Sequence, residues 1–148
     1  MPTGSTPALI CDTGALIDYL VESAPDHALF RGAIDRARTR YVPGLVLAEV
    51  DYFLRDERAA MQVFVRDLAR GAFTYAPPTL GHLARAMEVD RRYADLGLGL
   101  VDASLVALAE ALDIRRVATR DVRHFSAVRL RDGRPFELVV DPTDPDYA

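Results

Sequence analysis

Four acidic residues stand where a folded chain could bring carboxylates together: Asp12, Glu49, Asp102 and Asp121. Asp12 ends the apolar run Ala8-Leu9-Ile10-Cys11, and Glu49 lies inside the apolar stretch from Leu45 to Leu54. Asp102 lies near the start of a helical stripe made by Leu105, Leu108, Ala109 and Leu112. Asp121 directly follows the strand-like run Arg116-Val117-Ala118-Thr119. Two unit charges ~5 Å apart repel by roughly 3 kcal/mol at an effective dielectric near 20. Four such groups would protonate or scatter unless something positive sat among them. All-oxygen donors select hard divalent cations, Mg²⁺ or Mn²⁺, over zinc or copper. Such an ion activates water and stabilises a phosphoryl group during in-line displacement. The chemistry implied is hydrolysis of a phosphodiester.

The elements that must position these acids alternate between strand and helix, which points to an α/β fold. Ala8 to Cys11 reads as a buried central strand, followed by a helix from Ala15 to Leu20. A second helix starts around Ser23-Ala24-Pro25-Asp26, with proline in its first turn. Thr39 to Val42 is a second strand. Pro43 opens a third helix, apolar nearly all round and therefore expected to be buried. Ala60, Met61, Phe64, Val65 and Leu68 stripe a fourth helix that Gly71 ends, and Ala72 to Tyr75 is a third strand. Thr79 caps a fifth helix through Tyr93, with Leu83, Ala84 and Met87 inward. The sixth helix carries Asp102 and leads to the strand before Asp121, which opens an acidic loop. Phe136 to Val140 is a last strand. In a parallel sheet, strand ends and the helix starts that follow them gather along one edge. All four acids fall at that expected edge, although about 110 residues separate the first from the last.

Each acid alone also has a plain structural reading. Asp12 reads equally as the cap of the first helix, Asp102 as that of the sixth, and Asp121 as a turn residue. Glu49 fits a solvent-facing helix edge. Asp12-Thr13-Gly14-Ala15 matches the aspartic protease motif, but those enzymes need two such aspartates and an all-β fold. A phosphoacceptor receiver domain needs a lysine beside its aspartate, and the chain has none: all 18 basic residues are arginine.

At 148 residues, half of them apolar, the chain fits one domain with a substantial core. The net charge of −4 gives no general attraction for nucleic acid, although local arginines or bound ions can supply it. No apolar run is long enough to span a membrane, and residues 1–7 lack the pattern of a signal peptide. The single cysteine, Cys11, excludes an internal disulfide and suits a reducing cytoplasm. Three histidines without paired spacing argue against zinc. Residues 1–7 read as a flexible arm, 8–140 as the domain and 141–148 as a polar tail.

Taken together, these motifs resemble the PIN-domain family and, within it, VapC-type toxins of bacterial toxin–antitoxin pairs. Asp12-Thr13-Gly14-Ala15-Leu16-Ile17 is similar to the family's first acidic motif, and Glu49 in Leu47-Ala48-Glu49-Val50 to its second. Asp102 in Leu100-Val101-Asp102-Ala103-Ser104 resembles the third, and Thr119-Arg120-Asp121 with His124-Phe125 the fourth. Gly14 stands where serine is common, Arg120 where a less bulky residue is frequent, and the arm is longer than usual. The resemblance implies a single PIN-like α/β domain whose mostly parallel sheet of about 4–5 strands is flanked by helices. It implies a Mg²⁺- or Mn²⁺-dependent ribonuclease that cuts structured RNA, tRNA or rRNA, and so inhibits translation. Asp12, Glu49, Asp102 and Asp121 would be the catalytic acids and metal ligands, with Thr13 and Thr119 holding them by hydrogen bonds. It also implies a homodimer and a small VapB-type antitoxin. That antitoxin is expected in a groove between the first and third helices, lined by Leu16, Tyr19, Leu20, Val50, Phe53 and Leu54. The rival reading is a catalytically silent PIN fold that binds RNA or a protein partner without cutting.

Overall fold

A computed structural model describes residues 7–140. The proposed tail at 141–148 and all of the proposed arm except Pro7 lie outside the described residues. The strands are β1 (Leu9–Cys11), β2 (Arg40–Pro43), β3 (Thr74–Ala76), β4 (Arg116–Ala118) and β5 (Glu137–Leu138). They form one sheet in the order β3-β2-β1-β4-β5, with every neighbouring pair parallel. The helices are α1 (Thr13–Leu20), α2 (His27–Asp35), α3 (Gly44–Phe53), α4 (Arg58–Ala69), α5 (Leu80–Arg92), α6 (Gly99–Leu112) and α7 (Val122–Ala127). A 3-10 turn covers Ala94–Leu96. Among the described residues no helix is long and apolar enough to cross a membrane.

The sheet separates two apolar layers because successive residues of a strand face opposite sides. Leu9 and Cys11 point into a core with Leu16, Phe30, Val46, Val50 and Phe64 from α1 to α4. Ile10 and Val117 point the other way, into a core with Ala86, Leu105, Val106, Phe125 and Phe136. All these side chains are buried. Cys11 is an inert core residue, and burial pushes its thiol up to about 12.

The chain runs outward from β1 in one direction through β2 and β3, then returns to add β4 and β5 on the other side. β1 and β4 therefore flank the point where strand order reverses. In open parallel sheets, a crevice forms at the carboxyl ends of the strands at this point. Cys11 lies opposite Ala118 in the register, so Asp12 and Thr119 leave the sheet side by side.

Some local expectations shift. The second helix begins at His27, after the turn through Ser23 to Asp26, so Pro25 precedes it. The third helix is not buried all round. Val46 and Val50 are buried, whereas Tyr52 and Phe53 are 59% and 57% exposed. It rests one face on the core and leaves the other to solvent. The helix that is buried nearly all round is α6, from Ala103 through Ala109. On α4, Met61 and Phe64 turn inward as expected, but Val65 is exposed. On α5 the inward residues are Ala86 and Val89 rather than Leu83, Ala84 and Met87. Thr79 does cap α5: its hydroxyl accepts from the His82 N–H at 3.0 Å while its own N–H donates to His82 Nδ1 at 3.2 Å. The last strand shortens to two residues, with Phe136, Val139 and Val140 buried around it. The stretch after Asp121 is a six-residue helix, α7, rather than a loop.

Candidate metal centre

The four acids arrive at one place from four elements. Asp12 follows β1, Glu49 lies in the middle of α3, Asp102 sits in the first turn of α6, and Asp121 precedes α7. A pocket of about 510 Å³ is lined by Asp12, Thr13, Glu49, Asp102 and Asp121, together with Gly14, Ile17, Phe53 and Arg120. A further acid shortly before α6, Asp95, is exposed in the 3-10 turn and does not line this pocket.

Asp12 is 6% exposed. Its backbone N–H donates to the Ala118 carbonyl at 2.8 Å, which continues the sheet by one bond. Its Oδ2 accepts from Thr119 Oγ1 at 2.8 Å. Its Oδ1 is buried with no hydrogen-bond partner. Asp12 occupies the N-cap position of α1, but its side chain makes no capping bond. The capping explanation therefore fails for the most buried acid. It fails for Asp102 too, since Leu98 is the N-cap residue of α6. Asp121 does cap: its Oδ1 accepts from the His124 N–H at 3.0 Å.

The two threonines each bind a carboxylate. Thr13 Oγ1 donates to Glu49 Oε1 at 2.6 Å. Thr119 Oγ1 accepts from the Asp121 N–H at 2.9 Å while donating to Asp12. One hydroxyl thus links Asp12 to the backbone that carries Asp121. Thr119→Val should take from Asp12 its hydroxyl donor and leave the Asp121 N–H without its partner. We expect a loss of about 2–3 kcal/mol in denaturant unfolding without metal. Thr119→Ser should recover most of it, because it keeps the hydroxyl.

Burial first, and the neighbouring charges after it, hold two of the acids towards their protonated forms. Burial pushes the Asp12 carboxyl up to about 7; the charges of Asp102 and Glu49 add to this, and the Thr119 and Thr13 hydrogen bonds oppose it. Asp102 is also raised, first by burial and then by the charges of Asp121 and Glu49, against the pull of His124. A buried oxygen with no donor, on one of two neighbouring acids that resist ionising, fits a hard divalent cation.

His124 stands in the fourth motif of the sequence, which gave it no role. Its Nδ1 lies 2.8 Å from Asp102 Oδ2 and 2.8 Å from Asp121 Oδ2, and its Nε2 lies 3.0 Å from the Leu96 carbonyl. The Leu96 carbonyl accepts only, so Nε2 is the donor to it, and Nδ1 faces the two carboxylates. Burial pulls its pKa down, but the Asp102 hydrogen bond and the Asp121 and Asp102 charges outweigh that and raise it. Asp102, Asp121 and His124 can also place one ligand atom each within 4.8 Å of one another. The signal for His124 is its place three residues after Asp121, which has meaning only once α7 is known to be a helix.

The expected groove between α1 and α3 contracts. Leu16, Tyr19, Val50 and Leu54 are buried and belong to the core. Tyr19 packs edge-on against Phe73 and donates to Asp35 Oδ1 at 2.6 Å. Phe53 remains exposed, at the pocket wall beside Ile17.

Comparison with known proteins agrees with this arrangement. A match to the PIN domain family spans residues 9–130. Ribonuclease VapC26 of Mycobacterium tuberculosis is 34% identical over 134 residues, covering 88% of this chain and 99% of that protein. The crystal structure of M. tuberculosis VapC20, a sarcin–ricin loop cleaving toxin, has a TM-score of 0.66 at 18% identity, covering 74% of this chain and 86% of the other. VapBC2 from Rickettsia felis, bound to a DNA fragment from its promoter, has a TM-score of 0.63 at 14% identity, covering 88% and 98%. At these identities the two structures bear on the fold alone. The family match over most of the length, and a curated relative aligned nearly end to end, establish that this chain belongs to the PIN domain family as a homologue of a VapC ribonuclease.

Proposed function

We propose that this chain is a metal-dependent endoribonuclease of the VapC type, the toxin of a toxin–antitoxin pair, acting on structured RNA of the tRNA or rRNA class. The observation that carries the reading is the gathering of Asp12, Glu49, Asp102 and Asp121 around one pocket, with a buried Asp12 oxygen left without a donor. Mg²⁺ or Mn²⁺ is the ion we assign, held by these four carboxylates directly or through water. When bound, such an ion supplies the Lewis acidity and the activated water that phosphodiester hydrolysis needs.

The protein's own contribution is orientation. Thr119 aims Asp12 and ties it to the Asp121 backbone, and Thr13 aims Glu49. His124 anchors Asp102 and is itself fixed through Leu96. Four carboxylates placed beforehand reorganise little when charge develops on the phosphoryl group. A PIN fold that binds without cutting has no need of this full set, and the close relative named a ribonuclease favours the enzyme.

We assign a small VapB-type antitoxin as the protein partner and a homodimer as the working assembly. Exposed Tyr52 and Phe53 on α3, beside the pocket, suit an apolar partner segment. Incubating the purified protein with tRNA and rRNA, with Mg²⁺ or Mn²⁺ and then with a chelator, tests the nuclease reading. Discrete metal-dependent cuts are expected. An intact RNA pool under every metal condition would favour the silent binding protein.

A further inference from the structure

Of the residues lining the acidic pocket, Arg120 is the one permanent cation. It leaves β4 immediately after Thr119, and its guanidinium is tied to Asp18 on α1. Nε lies 3.3 Å from Asp18 Oδ2 and Nη1 lies 3.5 Å from Asp18 Oδ1. The two partners are unequal: the Asp18 side chain is 1% exposed and that of Arg120 is 48% exposed. Burying a carboxylate is costly without a paired cation. Asp18 therefore acts as a buried anchor for a guanidinium that stands half in solvent.

The stem of Arg120 is seated with equal care. A Cβ added at Gly14 would lie 3.1 Å from Arg120 Cδ and 3.3 Å from its Cβ and Cγ. A side chain at position 14 would require the arginine stem to give way by a few tenths of an ångström. Gly14, Asp18 and Arg120 thus form one unit across α1 and the β4–α7 connection. Nη1 makes the hydrogen bond to Asp18 Oδ1, Nε stands at ion-pair distance from Oδ2, which has no hydrogen-bond partner, and Nη2 lies outside the pair.

We propose that Arg120, anchored by Asp18 and seated on Gly14, is the phosphate-binding residue of this pocket, gripping a backbone phosphate of the RNA beside the one to be cut. The inference rests on the ribonuclease reading above. RNA approaching four carboxylates and a net charge of −4 needs a local cation. A guanidinium is suited to this, because its five donors are spread around a fixed plane, so that a loose pairing with one carboxylate leaves others to meet phosphate oxygens. A lysine could not divide its donors in so fixed a plane.

The test measures binding of a labelled RNA stem-loop across a salt series, using an Asp102→Asn background so that no RNA is cut. Arg120→Ala should weaken binding about tenfold at moderate salt and reduce the slope of log affinity against log salt by roughly 0.7 to 0.9. Arg120→Lys should restore the slope but only part of the affinity. In the cutting enzyme, Arg120→Ala should raise KM far more than it lowers kcat. Mn²⁺ affinity by calorimetry should not fall, since a cation is removed from beside the carboxylates, which separates this residue from the acids. Because Arg120→Ala strands a buried carboxylate, Asp18→Asn/Arg120→Gln serves as a second variant without that burden, and it should show the same loss of RNA affinity. Wild-type RNA affinity and salt slope in both variants, with a lowered melting temperature in Arg120→Ala alone, would overturn the proposal and leave Arg120 as the neutraliser of Asp18. Failure of the wild-type enzyme to cut any RNA is a separate outcome, which overturns the nuclease reading itself.

Discussion

Asp12→Asn should cut RNA about 10³-fold more slowly than wild type and yet, at pH 8 without metal, be the more stable protein by about 1–3 kcal/mol. The two effects have one cause. Asp12 is buried beside Asp102 and Glu49, and its carboxyl is pushed up to about 7, so ionising it at pH 8 works against the fold. An amide removes that charge and still accepts from Thr119 through its oxygen. Its NH₂ falls where the unpartnered Oδ1 stands and is left unpaired, which is why the gain stays below the full cost of the charge. The same change removes the most deeply buried of the four proposed ligands. Differential scanning calorimetry in chelator and single-turnover cleavage in Mg²⁺ read the two halves separately. Lower stability together with unchanged cleavage would make Asp12 a structural residue. Glu49→Gln should show a smaller stability change, since Glu49 is less buried than Asp12. For Asp121→Asn the sign should depend on whether the amide still caps α7.

The second large effect is on pH. The folded Asp12 carboxyl sits near 7, against 3.8 when free in the unfolded chain. Between those values the folded state holds a proton that the unfolded state has lost. Stability from this group is therefore full below about pH 4 and falls as pH rises to 7. Asp102, also raised, acts in the same direction, and so does His124, whose contribution is present below its unfolded value and lost as pH climbs through its folded one. Asp132, which is lowered, acts only at the acid end. Without metal, unfolding free energy should fall by about 2–4 kcal/mol between pH 5 and pH 8, and Asp12→Asn should remove most of that slope. Adding Mn²⁺ should reverse the trend, because its ligands must give up their protons. Urea unfolding at half-unit pH steps checks this. A metal-free stability that is flat or rises across the range would mean that Asp12 ionises freely.

Much of this site was legible because strand ends and helix starts are local signals. The apolar run before Asp12 and the one before Thr119 each mark where a strand must stop, and a parallel sheet brings such stops to one edge. The threonines beside two of the acids followed from the resemblance, and their hydroxyls do bind carboxylates in the structure. Three features were not legible. His124 needed α7, a helix of six residues that is too short to show a period. The Asp18–Arg120 pair joins residues 102 apart, and no local pattern ties an inward acid on α1 to a particular arginine. Phe53 was expected at a partner groove and is exposed, but the burial of Leu16, Tyr19, Val50 and Leu54 was hidden, because an apolar stretch reads alike whether it fills a core or awaits a partner; α6 and α3 have similar apolar runs, and only α6 is enclosed on nearly all sides.

The central claim is that the four carboxylates make one metal site. Calorimetric titration of Mn²⁺ into the metal-free wild type at pH 7.5, and into Asp102→Asn under the same conditions, tests it most directly. The wild type should bind with release of protons, and Asp102→Asn should bind far more weakly while remaining folded by circular dichroism. Equal Mn²⁺ affinity in the two proteins, or no binding by the wild type, would contradict the account.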